Sequence, residues 1–207
     1  MNAAIFDMDG TLLDTFPAIY GCINDVLTSL DAAPFTKEEL TPLVGTFIGD
    51  IYNSKSVDVP EARRRHRELY LAKYAGTSVP YPGAVECLAS LRSKGVKTAV
   101  VTMRIGEIAR AVLDSYGMRT QVDAVLGEDE VKKAKPDPEH LWAACRALGV
   151  EPSEACMVGD TEFDMIAGLK AGCKPIGVSW GYGKPRNAGN VIVVDDFIKL
   201  ENEIMKF

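Results

Sequence analysis

The sequence is poor in the residues that build several common sites. Histidine occurs twice in 207 residues, at His66 and His140, and neither stands near a cysteine or histidine cluster. A zinc site of the Cys/His kind and a histidine-based triad are therefore disfavoured. The five cysteines (Cys22, Cys87, Cys145, Cys156, Cys173) are odd in number, widely spaced and form no CxxC pair. That pattern argues against a disulfide scaffold and reads as the reduced thiols of a cytoplasmic protein. No apolar run approaches the roughly 18 residues of a membrane span, and the short apolar stretch ending at Asp7 is no signal peptide. Basic residues are outnumbered, 23 Lys and Arg against 29 Asp and Glu. An acidic surface is a poor general trap for nucleic acid or anionic lipid, so neither nucleic acid nor membrane is expected as a partner. What is present, 47% hydrophobic and 25% charged residues, is the balance of a soluble globule with a sizeable core.

Short apolar runs at residues 3–6, 98–102, 155–158, 175–178 and 191–194 have the length and content of buried strands. Helical periodicity fills the intervals at 84–94, 105–116, 138–148 and 162–171, each closed by a glycine (Gly95, Gly117, Gly149, Gly172). Asp137 and Pro138 read as the N-cap and first residue of the third. Strands alternating with helices of this length predict βαβ units and a parallel, Rossmann-like α/β sheet. Residues 16–80 break the rhythm: they read helical at 17–30, 37–43 and 61–75. The organisation expected is an α/β core of residues 1–15 and 81–207, with a helical insertion over 16–80.

Asp7 and Asp9 follow a buried strand two positions apart, so alternation lets both project from the carboxyl edge of the sheet. That edge is where open α/β sheets bind ligands. Asp160 follows another apolar run, and Asp164 lies one turn along if a helix begins after Asp160. Each aspartate alone reads as a turn or helix cap. As a set they would repel one another strongly, and the arrangement is tolerable with a cation among them. An all-oxygen ligand set favours a hard ion, Mg²⁺ before Zn²⁺. Thr102 ends a core strand and Lys135 precedes a helix, and a hydroxyl and an ammonium there suit a phosphoryl group. Taken alone, Lys135 reads equally as a surface lysine of the basic run Lys132, Lys133, Lys135.

The string FDMDGTLLDT (residues 6–15) resembles the signature of the haloacid dehalogenase superfamily of phosphohydrolases. VVTMR (100–104), KAKPDP (133–138) and VGDTEFDMIAGLKAG (158–172) resemble its remaining motifs in the same order. GVSWGYG (177–183) is similar to the phosphoglycolate phosphatase-like branch. The resemblance implies Asp7 as a nucleophile forming an aspartyl-phosphate, and Asp9 as general acid and base. It implies Mg²⁺ held by the Asp7 carboxylate, the Asp9 backbone carbonyl and Asp160, with Asp164 as a ligand or orienting residue. Thr102 would hydrogen-bond the transferring phosphate and Lys135 would offset charge. An acid at Asp9 argues for phosphoryl transfer over dehalogenation. After Thr102, where relatives often carry Asn, this chain has Met103 and Arg104.

By the same resemblance, residues 16–80 form a small helical cap with hinges near 15–17 and 80–82. The loop Val44–Gly49 either faces substrate or is a helix–helix turn with Phe47 and Ile48 packed inside. The run Arg63-Arg64-Arg65-His66-Arg67 wraps fully round a helix and reads as a solvated face. Trp142 and Trp180 read as packing residues. The expected activity is Mg²⁺-dependent hydrolysis of a small phosphorylated metabolite, phosphoglycolate-like, by a monomer or weak homodimer. The alternatives are a β-phosphoglucomutase-like sugar phosphomutase, or a pyrophosphatase or nucleotidase of the same superfamily. No organic cofactor is expected.

Overall fold

The computed structural model describes residues 1–189 and 191–206. Strand β1 (Ala3–Phe6) is buried along its whole length, as expected of a short apolar run in the interior of a parallel sheet. The chain then makes a tight turn and a short strand β2 (Leu13–Asp14) before entering a helical segment. That segment holds α1 (Phe16–Ser29), α2 (Lys37–Leu40) with a 3₁₀ turn, α3 (Ile48–Asn53) and α4 (Val59–Leu69), the last running into a π turn at 70–74. Strand β3 (Val79–Pro80) returns antiparallel to β2, pairing Leu13 with Pro80 and Asp14 with Val79.

Thereafter strands and helices alternate: α5 (Ala84–Ser93), β4 (Lys97–Val101), α6 (Gly106–Ser115), β5 (Ala124–Leu126), α7 (Glu139–Leu148), β6 (Ala155–Gly159), α8 (Glu162–Ala171), β7 (Lys174–Val178), β8 (Ile192–Val194) and α9 (Phe197–Met205). The main sheet has the order β5-β4-β1-β6-β7-β8, with every neighbouring pair parallel. Its two faces follow the period of two. Ala4 and Phe6 of β1 pack with residues of α5, α6 and α9, while Ala3 and Ile5 pack with residues of α7 and α8. The chain builds outward from β1 to β4 and β5, then returns to add β6, β7 and β8 on the other side. The switch in direction opens a crevice at the carboxyl ends of β1 and β6, the place where such sheets hold ligands.

Helix ends follow the sequence closely. Gly172 closes α8 at φ 84, a left-handed conformation that costs glycine nothing. Helix α7 starts one residue later than the sequence suggests, so Pro138 and not Asp137 holds the N-cap position; Asp137, just before it, still accepts the Glu139 N–H on Oδ1 at 3.0 Å. Five elements lay outside the sequence reading: the short strands β2 and β3, helix α3, the edge strand β5 and helix α9. The arginine run is only partly a solvated face. Arg64 and Arg65 do pair with Glu61 and Glu68 on their own helix. Arg63 instead reaches Glu128 at 2.5 Å, Arg67 reaches Glu107 at 2.6 Å, and His66 is buried. These contacts join α4 to the sheet-bearing part of the chain, because the helix lies across the crevice and one of its sides meets the loops there.

Candidate active site

Strand register sets the level of the site. Phe6 lies beside Val100 on one flank and Val158 on the other, so Asp7 emerges level with Val101 and Gly159, the last residues of β4 and β6. Thr102 and Asp160 are each one residue further on. Gly10, at φ 83, allows the chain to turn immediately past this edge.

Asp7, Asp160 and Asp164 offer carboxylate oxygens that all lie within 4.8 Å of one another, and all three residues are buried. Lys135 is clamped among them, 2% exposed, donating from Nζ to Asp7 Oδ1 and Asp164 Oδ1 at 2.6 Å each and to the Val101 carbonyl at 3.2 Å. Burial works against its ammonium, yet Asp164 and Asp7 together hold its pKa above the ordinary lysine value. Asp7 is shifted the other way. Burial lifts its carboxyl well above the usual range, Lys135 opposes this, and Asp164, Asp160 and Asp9 add to the rise. Burial and the charge of Asp164 push Asp160 up to about 6, against the pull of the Gly183 and Tyr182 N–H groups on its Oδ2. Asp164 is oriented by a capping box on α8, Oδ2 accepting from Thr161 N at 3.0 Å and Thr161 Oγ1 at 2.6 Å.

The backbone crowds these carboxylates. A Cβ on Gly181 would lie 2.3 Å from Asp160 Cβ, and one on Gly159 would lie 2.3 Å from Asp164 Cγ. A buried, all-oxygen trio in which Asp7 and Asp160 are raised by burial is the environment a small hard dication relieves, so the residues present fit Mg²⁺.

The Asp9 side chain belongs to a different cluster. Oδ1 accepts from Thr15 Oγ1 at 2.6 Å, and Arg104 Nε donates to Oδ1 and Oδ2 at 2.8 and 2.9 Å. The Asp9 carboxylate therefore stands outside the Asp7–Asp160–Asp164 group. Thr102 Oγ1 is 3.4 Å from Asp9 Oδ2 and accepts the Arg104 N–H at 3.2 Å. Arg104 is the residue that sequence reasoning undervalued. Its side chain is 9% exposed, and its guanidinium lies over the Tyr70 ring, 4.5 Å from the centroid. Its position two residues beyond Thr102, at the same strand end, was the available signal. Tyr182 was not singled out either. Its N–H holds Asp160 while its hydroxyl accepts from Thr15 N and Phe16 N and donates to Asp14 Oδ1.

Above Asp9 and Arg104 is a cavity of about 50 Å³, bordered by α1, α3, α4, α6 and the 44–48 loop. Val44, Gly45, Thr46 and Ile48 line it, so the loop turns these residues toward the site, whereas Phe47 lies against Arg63. His66 forms part of the wall, its Nδ1 2.9 Å from Tyr52 Oη. Trp142 and Trp180 pack elsewhere, donating to the carbonyls of Ala171 and Thr11.

Comparison with known proteins agrees with this geometry. The sequence profile of the haloacid dehalogenase-like hydrolases matches residues 4–178. A phosphoglycolate phosphatase of Caulobacter vibrioides is 32% identical over 93% of this chain and 86% of its own length. The pyrophosphatase PpaX of Bacillus velezensis is 34% identical over 87% of this chain and 84% of its own. A crystal structure of a predicted phosphatase from Clostridium acetobutylicum superimposes with a TM-score of 0.88 at 26% identity, covering 100% of this chain and 99% of that one. With its parallel sheet, its strand-end aspartates and a profile match over most of its length, the chain belongs to the haloacid dehalogenase-like hydrolases and is an enzyme.

Proposed function

We propose that the protein is a Mg²⁺-dependent phosphatase that hydrolyses a small, phosphoglycolate-like phosphomonoester through an aspartyl-phosphate on Asp7. One observation carries this reading: two aspartates of a single strand end stand in different settings, Asp7 with the buried trio and Lys135, Asp9 with Thr15 and Arg104. That is the division of labour between nucleophile and acid/base that phosphoryl transfer needs. A carboxylate oxygen of Asp7 attacks phosphorus and the bond to the ester oxygen breaks. Asp9 gives its proton to the departing alkoxide. Asp9 then takes a proton from water, which attacks phosphorus, releasing inorganic phosphate and the free Asp7 carboxylate. Lys135 keeps positive charge beside the nucleophile, and Thr102 is in reach of the transferring group. Asp7, Asp160 and Asp164, with the Asp9 carbonyl, would hold Mg²⁺, which would supply charge neutralisation for the phosphoryl oxygens.

Residues 16–80 act as the cap that excludes water, hinged where β2 meets β3. A cytoplasmic monomer or weak homodimer suits five buried cysteines that are all free and a chain with no helix, among the described residues, long and apolar enough to cross a membrane. The similarity to PpaX favours pyrophosphate as a second reading. The deciding experiment is a panel of phosphomonoesters, sugar phosphates and pyrophosphate with Mg²⁺, scored for free phosphate and for isomerised product. Isomer formation without phosphate release would replace the hydrolase by a mutase.

A further inference from the structure

Arg104 carries more donors than the structure uses. A guanidinium has five N–H groups. Nε–H donates to both oxygens of Asp9. Nη2 lies 2.8 Å from Asp9 Oδ1 but out of line, and it is buried with no hydrogen-bond partner. The hydroxyl of Tyr70, whose ring the guanidinium covers, is buried beside Arg104 and Ser78, both of which act on it as side-chain hydrogen-bond partners. Buried donors left idle are costly and call for an explanation. Arg104 borders the cavity under the helical segment, whose walls are otherwise largely apolar: Ile19, Val44, Ile48, Ile51 and Ile108. The cavity is small, about 50 Å³, which suits a short substrate tail.

We infer that Arg104 is the specificity-determining residue of this site, receiving a carboxylate at the non-phosphoryl end of the substrate and releasing Asp9 as it does so. The inference rests on the phosphatase reading and adds what the substrate must carry. Charge and shape favour a carboxylate over a second phosphate. The cavity wall holds Arg104 as its cation, since burial pushes His66 down to about 3 and leaves it neutral, and Asp9 as its anion, so a single added carboxylate is matched by taking the place of Asp9 on Arg104. A planar carboxylate also matches the guanidinium fork. The exchange has a mechanistic consequence. While Arg104 Nε and Thr15 occupy both Asp9 oxygens, neither is placed to hand a proton to a leaving group. A substrate that draws Arg104 away frees Asp9, so the carboxylate acts on kcat as well as KM.

The test compares 2-phosphoglycolate with 2-hydroxyethyl phosphate, of equal length but uncharged at the far end, and with pyrophosphate. All are assayed with Mg²⁺ on the full chain, wild type, Arg104→Met and Arg104→Lys. Wild type should favour 2-phosphoglycolate in kcat/KM by roughly 10- to 100-fold, the range for one charge-assisted pair. Arg104→Met should bring the ratio close to one, and Arg104→Lys should lie between. Glycolate should inhibit wild type competitively and ethylene glycol should not, a check that needs no variant. Equal use of the two esters by wild type, an undiminished ratio in Arg104→Met, or a preference for pyrophosphate would overturn the inference while leaving the hydrolase intact. No phosphate release from any compound would overturn both.

Discussion

Replacing Lys135 by Met keeps the length and apolar stem of the side chain and removes only the ammonium. The perturbation is severe because the two oxygens it bonds, on Asp7 and Asp164, are each 2.6 Å away and the lysine side chain is 2% exposed. Taking one partner from a buried ion pair costs about 3–5 kcal/mol, since the remaining charges stay buried without compensation. Proton uptake by Asp7, already raised by burial, limits the loss toward the lower figure. With a urea m-value near 3 kcal/mol/M, the upper end for small proteins, the midpoint should fall by about 1–2 M. The measurement is urea unfolding by far-UV circular dichroism at pH 7 in EDTA. Lysine's folded pKa is raised above its ordinary 10.5, so its stabilisation is complete below that value and fades only as pH rises through the folded value. Neutral pH therefore reports all of it. Adding Asp164→Asn to the methionine variant should restore part of the loss, because the stranded charge goes too. A single variant within about 0.3 M of wild type would refute the reasoning.

Asp7→Asn should reduce turnover by at least about 10⁴-fold while leaving the midpoint equal or higher, because it deletes a buried carboxylate that its acidic neighbours disfavour; unchanged turnover would remove Asp7 from the chemistry. Gly159→Ala forces a Cβ to within 2.3 Å of Asp164 Cγ, so half-saturation by Mg²⁺ should rise roughly tenfold or more, read from activity against metal concentration. Burial holds His66 and His140 down to about 3 and about 4. Both are depressed below the ordinary 6.5. Each therefore stabilises the fold fully above that value and loses the contribution as pH falls, about 2 kcal/mol per histidine between pH 7 and 5. Asp160, raised to about 6, works in the opposite direction, so the clean observable is the difference between wild type and His66→Gln, which should shed one such increment.

The strands and the acidic residues were readable because both depend on local pattern. Apolar runs with a carboxylate at the end mark where a buried parallel strand emerges, and Asp7 and Asp160 lie where that rule puts them. Edge strand β5 escaped because three residues, two of them half-buried, leave almost no periodic signal. Helix α3 escaped because it has only six residues, with Gly45 and Thr46 just before it and Gly49 inside it obscuring the start. The arginine run misled for a different reason: wrapping round a helix tells how many sides are charged, not which side meets another element. Arg63 and Arg67 found glutamates supplied by residues 128 and 107, beyond the reach of any local window. Arg104 shows the same limit. Its type and position were visible, but the carboxylate that fixes its orientation lies 95 residues earlier in the chain.

The two-rung ribbon of β2 and β3 sets residue 14 beside residue 79. The whole helical excursion therefore begins and ends at neighbouring points, and the six-stranded sheet keeps its order whatever length of polypeptide is threaded between them. Such a junction behaves like a socket. The fixed half carries Asp7, Asp160, Asp164 and Lys135, and a junction of this kind lets what is plugged in be lengthened, shortened or exchanged without redrawing that half.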